Sequence, residues 1–402
     1  MSETNTNNGD ILDTPNKFSN KLKEAWKKVK SLFTIPKDPI KKKKFLVIWG
    51  VVIAIVIGAL AAFAMQLSNI DLSSKEGLFG SDFKLSEKQE VSDLDGIKYD
   101  AEVANRRPIA VMVENHPDAR PQYGLTRASI VYESIAEGGI TRYMAIFGPK
   151  DADRVGPIRS ARTYFVEWMF EYNAIYAHAG GAADALDLLR TERAGEGNID
   201  HAGQPVMWRE RRGNEASEHT LYGSTVFMRS YSKDVNWEQD ADFIPWLFKD
   251  LDNRSEEERS KEAITDIHIP FSGSYKVDYK YDASDNTWAR SLAGKPDIDV
   301  ATDEQIKPTN IVVLSIGRSE VSSAGKTVGQ LDLFTKGEAL VFQDGMVTEG
   351  YWKKEGSGKK TKVFDDNNKE IRLTPGQTFV TVIQPSMTVT YDEATTDSNS
   401  AQ

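Results

Sequence analysis

The stretch FLVIWGVVIAIVIGALAAFAM, residues 45–65, contains no charged side chain and directly follows four consecutive lysines. If it forms a helix with the usual rise per residue, its length is about 31 Å, which matches the hydrocarbon core of a bilayer. The sequence therefore predicts one transmembrane helix, which separates a short amino-terminal tail, residues 1–44, from the large remainder, residues 66–402.

The distribution of charge predicts the orientation of this helix. Residues 1–44 hold eleven lysines and five acidic residues, a net charge of +6, while the whole chain carries −10. Basic residues are retained on the cytoplasmic side of a membrane, so we expect a single-pass cell-membrane protein with a cytoplasmic amino terminus and extracytoplasmic residues 66–402. A cleaved signal peptide is the alternative, because residues 62–64 (AFA) resemble a cleavage site, although the apolar run and the segment before it are long for such a peptide.

The basic tail carries an apolar stripe. Five residues recur there at helical spacing among lysines: Phe18, Leu22, Trp26, Val29 and Phe33. The pattern is typical of a helix lying on a membrane surface with anionic lipid, and a solvated segment that only sets the topology is the alternative. The chain has no cysteine, which excludes disulfides, thiolate metal sites and a lipidated cysteine.

The composition and the apolar periodicity of the sequence change along the part that follows the predicted transmembrane helix. Residues 66–104 are polar and acidic without periodicity, which predicts a linker. In residues 105–235, strand patterns alternate with amphipathic helices, and this order predicts an α/β amino-terminal domain. Residues 236–391 predict a β-rich, mainly antiparallel carboxyl-terminal domain. A polar tail, residues 392–402, is predicted to be disordered.

Individual elements follow from apolar patterns and turn residues. In the first domain we expect strands and helices as follows: strands at 107–113, 130–132, 142–147 and 174–179, and helices at 161–172 and 182–190. In the second domain we expect strands at 275–281, 287–292, 310–316, 338–343, 346–352, 360–364, 370–373 and 378–384. Asp344-Gly345 is a strong hairpin signal between two of these strands.

Candidate site residues concentrate around glycines of the α/β domain. Four polar segments stand out: 115–121 (NHPDARP), 137–142 (EGGITR), 156–162 (GPIRSAR) and 178–181 (HAGG). The first, third and fourth lie at or near the ends of predicted strands, where open α/β sheets bind ligands. Seven residues are predicted to bind the ligand: Arg142, Arg159, Arg162, His116, Arg120, Gly180 and Gly181.

The segment 156–162 predicts an anion site. Ser160 is expected to cap a helix that begins at Ala161, which places Arg159 and Arg162 at the positive end of the helix dipole. Cations are unfavourable there unless an anion binds between the helix amides and the guanidinium groups. The alternative is that both arginines pair with acidic residues of the same domain. Those acidic residues are Glu133, Glu137 and Glu167.

Two residues are the catalytic candidates, His178 and Glu137. If they lie on a helix, Glu133 and Glu137 share a face and could act as an acid pair; if residues 130–133 form a strand they do not, and they could also be solvated surface residues. His178 ends an apolar strand beside two glycines, and a buried, hydrogen-bonded histidine is the alternative. No histidine pair has metal-ligand spacing, and no P-loop, dinucleotide or G-x-S-x-G motif is present, so neither a metal nor a cofactor is predicted. The acidic charge of the predicted extracytoplasmic part argues against nucleic acid as a partner.

The sequence resembles the YerB-like lipoprotein family of bacterial envelope proteins. The matching motifs are RPIAVMV (107–113), the four polar segments above, GYWKK (350–354), LTPGQT (373–378) and VTY (389–391). The resemblance covers about residues 105–391 and implies a two-domain module on the outer face of the membrane. Because the chain lacks a cysteine, the helix at 45–65 would replace the lipid anchor of that family.

A looser likeness concerns Arg142, then Arg159 and Arg162, then residues 173–181, which end in Gly-Gly. Their order along the chain is similar to that of the LytR–CpsA–Psr phosphotransferases, which is an analogy and not a motif match. The predicted function is therefore a membrane-anchored extracytoplasmic protein of the bacterial cell envelope that binds an anionic cell-wall glycopolymer or an envelope protein. The alternative is a transferase or hydrolase acting on cell-wall glycan or lipid-linked phosphate.

Overall fold

The structure is a computed structural model that describes Lys42 and residues 88–193, 196–201, 206–240, 242–250 and 264–393. The predicted transmembrane helix, nearly all of the predicted tail before it and the first part of the predicted linker lie outside these residues. Within the described part of the chain, no helix is both long enough and apolar enough to cross a membrane.

Among residues 88–393 that the structure describes, the helices are short and lie mostly in the first half. These α-helices are α1 (Ala101–Ala104), α2 (Thr163–Phe170), α3 (Ala183–Arg193) and α4 (Thr225–Asp234). Single 3₁₀ turns lie at Pro117–Ala119, Leu125–Arg127, Ser217–His219 and Gly273–Tyr275.

Strands make up most of the remaining regular structure. In the first half they are β1 (Gln89–Val91), β2 (Lys98–Asp100), β3 (Ile109–Glu114), β4 (Ile130–Ile135), β5 (Thr141–Phe147), β6 (Ile175–His178), β7 (Asn198–Asp200), β8 (Met207–Arg209) and β9 (Leu221–Gly223). In the second half they are β10 (Ile264–Ile269), β11 (Val277–Asp282), β12 (Thr287–Leu292), β13 (Lys295–Pro296), β14 (Ile298–Asp299), β15 (Glu304–Gln305), β16 (Asn310–Ser315), β17 (Arg318–Ser323), β18 (Lys326–Leu331), β19 (Lys336–Gln343), β20 (Met346–Lys353), β21 (Lys362–Asp365), β22 (Thr378–Ile383) and β23 (Thr390–Glu393).

One mixed sheet of ten strands runs through both halves, in the order β21-β20-β19-β16-β22-β4-β5-β3-β6-β7. The halves meet where β22 pairs parallel to β4, with Phe379 beside Val131. Strands β3, β5 and β22 are buried along their whole length, which is why their sequences are almost continuous apolar runs. The sheet therefore crosses the boundary between the two predicted domains without interruption.

Both faces of this sheet are covered. Alternate residues of β3 point to opposite faces, so Met112 packs in the core under α2 and α3, while Val111 packs in the core under α4. In the second half, a five-stranded antiparallel sheet, β13-β12-β11-β10-β23, covers the face that carries Val313. Its inward residues, such as Trp288, alternate with half-buried ones along β12.

The fold class is confirmed in outline, with a mixed sheet in the first half and a strand-rich second half. Three local predictions are wrong. Residues 88–104 of the predicted linker fold into the β1–β2 hairpin and α1. The predicted strand 370–373 forms only isolated bridges. Asp392 and Glu393, placed in the disordered tail, lie in β23, which pairs with β10.

Candidate functional site

The candidate residues gather at one edge of the ten-stranded sheet. Strands β3 and β6 are parallel, and both β3 and β4 run antiparallel to β5, so β3, β4 and β6 end at the same edge where β5 begins. Arg142 of β5 is thereby paired in register with Glu114 of β3 on one side and Ser134 of β4 on the other. The loops that follow these strands supply the other candidates.

The segment before α2 is extended. The Arg159 amide donates to the Met112 carbonyl at 3.0 Å, and the Ala161 amide donates to the Gly180 carbonyl at 2.9 Å. Because this pairing holds the segment as a strand-like connection, Ser160 cannot cap α2. Its hydroxyl donates to the Ala179 carbonyl at 2.9 Å, and α2 begins at Thr163 without a side-chain cap. The predicted Ser160 cap and the helix start at Ala161 are wrong.

Three arginines surround the carboxylate of Glu137, and we call Arg142, Arg162 and Arg318 with Glu137 the arginine cluster. Arg162 donates hydrogen bonds to both carboxylate oxygens of Glu137. Its Nη2 lies 2.6 Å from Oε2, and its Nε bonds Oε1. Arg142 Nη2 lies 3.8 Å from Oε2 of the same carboxylate. Arg318 donates to the Ala136 carbonyl at 2.5 Å and lies 3.6 Å from the carboxylate of Glu320, and its charge also acts on Glu137.

The protonation states keep this cluster positive. Burial raises the pKa of the Glu137 carboxyl, but the hydrogen bond and charge of Arg162 outweigh burial and leave that pKa below its usual value. Burial, with the neighbouring Arg162 charge, lowers the pKa of Arg142 to about 10. Glu137 is therefore ionised and Arg142 still charged at neutral pH, so cations outnumber acids in the cluster even when Glu320, the partner of Arg318, is counted.

Two tyrosines line the inner side of the cluster. The Tyr164 hydroxyl donates to the Ile135 carbonyl at 3.3 Å. The Tyr176 hydroxyl is fully buried and has no hydrogen-bond partner among the described residues. Burial raises the pKa of Tyr176, while the charges of Arg142 and Arg162 oppose this rise, so its hydroxyl lies within their field.

A surface cavity of about 300 Å³ opens beside the start of α2. Its walls are Thr163, Tyr164 and Glu167 of α2 together with residues 330–335, which end β18 and follow it. Phe334 in this wall is 54% exposed. Since Tyr164 belongs to the cavity wall and is also influenced by Arg142 and Arg162, the cavity and the arginine cluster are neighbours.

His178 is fully buried and hydrogen-bonded through both ring nitrogens. Its Nδ1 lies 2.8 Å from the Gly180 carbonyl, and its Nε2 lies 2.8 Å from the Asn198 side chain. The Gly180 amide in turn donates to Asp200 at 3.0 Å. Gly180 has a φ of 60°, a left-handed conformation that favours glycine. His178 and the glycines thus fix the loop after β6, which is the arrangement that the sequence left open as the alternative.

Arg159 belongs to a second group, away from Glu137. Its Nε lies 2.9 Å from Oε1 of Glu114, an acid that the sequence did not propose as its partner. The other oxygen of Glu114 is 2.8 Å from Nδ1 of His219. The His219 ring stacks on the His116 ring, with centroids 5.0 Å apart and an interplanar angle of 11°.

This second group contains possible metal ligands. His116, Asp118 and His219 can each place one ligand atom within 4.8 Å of the others. His219 comes from a distant part of the sequence, so no spacing motif could reveal the group.

Arg120 holds the loop after β3 to the second half. Its guanidinium donates to the Asn115 carbonyl and side chain and to the Ser274 carbonyl at 2.6 Å, and it lies 5.0 Å above the Tyr275 ring. Burial lowers the pKa of Arg120. These contacts use its donors for internal bonds, so the structure places Arg120 outside the arginine cluster.

The predicted acid pair does not form. Glu133 lies in β4 and is fully buried, where Arg290 Nη2 contacts it at 2.8 Å. Glu137 lies in the turn after β4. Arg290 and Arg318 both come from the second half of the chain, and sequence reasoning missed them because no local pattern links them to these acids.

Comparison with known proteins identifies the family. Residues 94–238 match the N-terminal domain, and residues 267–380 the C-terminal domain, of a family described as "Protein of unknown function (DUF3048)". The chain is 31% identical over 291 residues to the "Putative lipoprotein YerB" of Bacillus subtilis (strain 168), which covers 72% of this chain and 85% of that protein. The chain belongs to the DUF3048 family. The predicted YerB-like resemblance is thereby confirmed.

The fold of this DUF3048 protein is similar to a solved structure. The crystal structure of the YerB protein from Bacillus subtilis matches with a TM-score of 0.65 and 28% sequence identity, over 75% of this chain and 99% of that chain. The likeness therefore extends over both matched domains of the family.

Proposed function

We propose that this protein is a membrane-anchored, extracytoplasmic protein of the bacterial cell envelope whose arginine cluster binds an anionic group of a cell-wall polymer. The location is supported by the predicted transmembrane helix at residues 45–65 and by the name of the Bacillus relative, which describes a lipoprotein. The lipid of a bacterial lipoprotein is attached to a cysteine, which this chain lacks, so the helix would serve as the anchor.

One observation carries the binding proposal, namely that the guanidinium groups of Arg162 and Arg142 contact one partly exposed carboxylate, whose pKa the charge of Arg318 also lowers. Guanidinium groups bind phosphate and carboxylate through paired hydrogen bonds, and Arg162 already makes such a pair with Glu137. Glu137 thus occupies the position that a ligand anion would take. The cations exceed the acid in number, so the cluster retains attraction for a further anion.

The turn that carries Glu137 is closed by backbone hydrogen bonds to Ile140, and the two residues after Glu137 are exposed. It continues into Gly138 and Gly139, both with positive φ, and a Cβ built on either glycine meets no atom within 4 Å. An incoming phosphate could therefore displace the Glu137 carboxylate without breaking core packing. The neighbouring cavity, with Tyr164 and the exposed Phe334 in its wall, offers apolar faces against which a sugar ring could pack.

The alternative of a transferase or hydrolase has less support. His178 uses both ring nitrogens in internal hydrogen bonds, so neither is free to exchange a proton with a ligand. The lowered pKa of Glu137 makes this carboxyl a poor general acid at neutral pH. The geometry therefore favours binding.

Titration calorimetry of the purified full-length chain with soluble poly(glycerol phosphate), and with polygalacturonate as a carboxylate polymer, tests the proposal. We expect Arg162→Ala and Arg318→Ala to weaken binding about tenfold or more, because each removes a charge-assisted hydrogen bond worth about 1.5–3 kcal/mol. Glu137→Gln should strengthen binding a few-fold, roughly, because it removes the competing carboxylate while keeping its shape.

Arg154→Ala is the matched control. Arg154 is also a partly buried arginine with one acidic partner, Glu210 at 3.2 Å, and it lies between two tyrosine rings away from the cluster. The proposal would be wrong if the cluster variants and this control bound both polymers equally well, or if Glu137→Gln weakened binding as much as the loss of an arginine.

A further inference from the structure

The second group at the sheet edge has the composition of a metal site. Two imidazoles and one carboxylate, from His116, Asp118 and His219, offer ligand atoms within 4.8 Å of one another. His116 and Asp118 lie in the loop after β3, and His219 ends the 3₁₀ turn before β9. The tertiary fold brings them together, with β3 and the turn at 217–219 side by side.

His219 is oriented as a metal ligand would be. Oε2 of Glu114 lies 2.8 Å from its Nδ1, so the carboxylate holds the proton on Nδ1 and leaves Nε2 with a free electron pair. Metal-binding histidines typically have such a carboxylate behind them, which fixes the tautomer and makes the imidazole more basic. Glu114 is itself buried, and Arg159 Nε lies 2.9 Å from its other oxygen.

The side chains of the other two proposed ligands, His116 and Asp118, reach solvent. The His116 side chain is 32% exposed and that of Asp118 is 71% exposed. Two contacts restrain His116: its ring stacks on the His219 ring, and the Asp118 amide donates to its Nδ1 at 3.2 Å. Because both His116 and Asp118 reach solvent, rotation of their side chains could bring them around an ion beside His219.

We propose that His116, Asp118 and His219 bind a divalent first-row transition metal ion, with Glu114 as the positioning residue of His219. Nitrogen and mixed nitrogen–oxygen ligands select Zn²⁺ and its neighbours, whereas Ca²⁺ and Mg²⁺ prefer sites built of oxygen alone. Three protein ligands leave at least one coordination position for water or a ligand atom. This site is separate from the arginine cluster and goes beyond the anion binding proposed above.

Zn²⁺ binding to the EDTA-treated full-length chain tests the site, with Co²⁺ as a spectroscopic probe. We expect one tightly bound Zn²⁺ per chain and a Co²⁺ absorption spectrum of nitrogen and oxygen ligation. His116→Ala and Asp118→Asn should each weaken Zn²⁺ binding at least tenfold. Glu114→Gln should weaken it about 10–100-fold, as is typical when the partner of a metal-bound histidine is lost.

His201→Ala is the matched control, because His201 is 34% exposed and paired with one carboxylate, Asp200 at 3.0 Å. It should bind Zn²⁺ as the parent does. Substitutions of the exposed His116 and Asp118 leave the core intact, so the test does not depend on the buried His219. Absence of stoichiometric Zn²⁺ binding in the parent, or equal binding by His116→Ala, Asp118→Asn and the control, would overturn the proposal.

Discussion

Two groups of arginines and acids in this protein are built from the same residue types and differ in everything else. The sealed cluster, in the interior between the halves, contains one arginine, Arg290, with Glu133 and Asp297. Arg290 and Glu133 are fully buried and 2.8 Å apart, and Asp297 bonds the same guanidinium. The arginine cluster at the sheet edge contains three arginines and one carboxylate, and the Glu137 side chain is 34% exposed.

The difference shows how a structural ion pair is distinguished from a candidate binding site. In the sealed cluster, acids outnumber the cation and no ligand could reach it. Burial opposes the charge on Arg290, yet Tyr143 and Glu133 raise its pKa above the usual value. In the arginine cluster the cations are in excess and partly solvated. A candidate anion site is therefore recognised by an excess of cations over acids together with exposure to solvent, and not by the number of arginines.

Breaking the sealed cluster should have the largest effect on stability. Arg290→Met leaves Glu133 buried without its cation, which costs about 3–5 kcal/mol of the free energy of unfolding. Chemical denaturation of the parent and the variant measures this cost. Adding Glu133→Gln to Arg290→Met should restore part of the loss, and a single variant as stable as the parent would contradict the distinction between the two clusters.

Lys360 extends the comparison, because it is a buried cation without a paired carboxylate among the described residues. The Lys360 ammonium is buried over the rings of Tyr172 and Trp246, at 3.7 and 4.1 Å, and burial lowers its pKa to about 7, although Glu171 opposes the shift. In the unfolded chain the pKa of a lysine is about 10.4. Between these two values the unfolded state binds more protons, so Lys360 favours unfolding less as the pH rises.

We therefore expect the parent to gain stability relative to Lys360→Met between about pH 7 and pH 10, by up to about 1.4 kcal/mol per pH unit. Denaturation curves of both proteins at several pH values measure the difference. Lys354→Met is a useful comparison, because Lys354 is paired with Glu171 at 2.7 Å and its loss strands that acid. A stability difference between the parent and Lys360→Met that stays constant over this range would show that Lys360 keeps its proton in the folded state.

The smallest expected effect separates the two arginines that flank Ser160. Arg162→Ala should lower the free energy of unfolding by no more than about 1 kcal/mol, because Glu137 is exposed enough to be hydrated. Arg159→Ala should cost more, about 1–3 kcal/mol, because its partner Glu114 is buried with only His219 left to it. Equal losses in thermal or denaturant unfolding would mean that exposure of the acid does not control the cost.

Local patterns in the sequence were enough for many elements. The hairpin at Asp344-Gly345 is confirmed, with φ values of 55° and 68° at the two turn residues. The buried strand predicted at 310–316 is β16, and the helix predicted at 161–172 is α2 in a shorter form. These predictions succeed because apolar periodicity and turn residues act within a few residues of one another.

Contacts between distant residues were beyond the reach of these patterns. The sequence placed the candidate residues near strand ends, and the structure brings Arg142 and Arg162 together there. The sequence alone could not predict that Arg318 joins this cluster or that His116 contacts His219, because such contacts depend on the order of strands in the sheet. The Ser160 cap failed for the same reason, since pairing with the loop after β6 competes with capping. The binding roles of these residues stay predictions.

The position of β22 has a consequence for how the chain is made. This strand lies between β4 and β16 in the middle of the ten-stranded sheet, although it is among the last elements of the chain. During synthesis, one side of β4 stays unpaired until residue 383 has left the ribosome, and an uncovered strand edge is prone to join other chains. Truncation before β22 should therefore produce insoluble protein, and separate expression of the two halves should succeed best when both are present in the same cell.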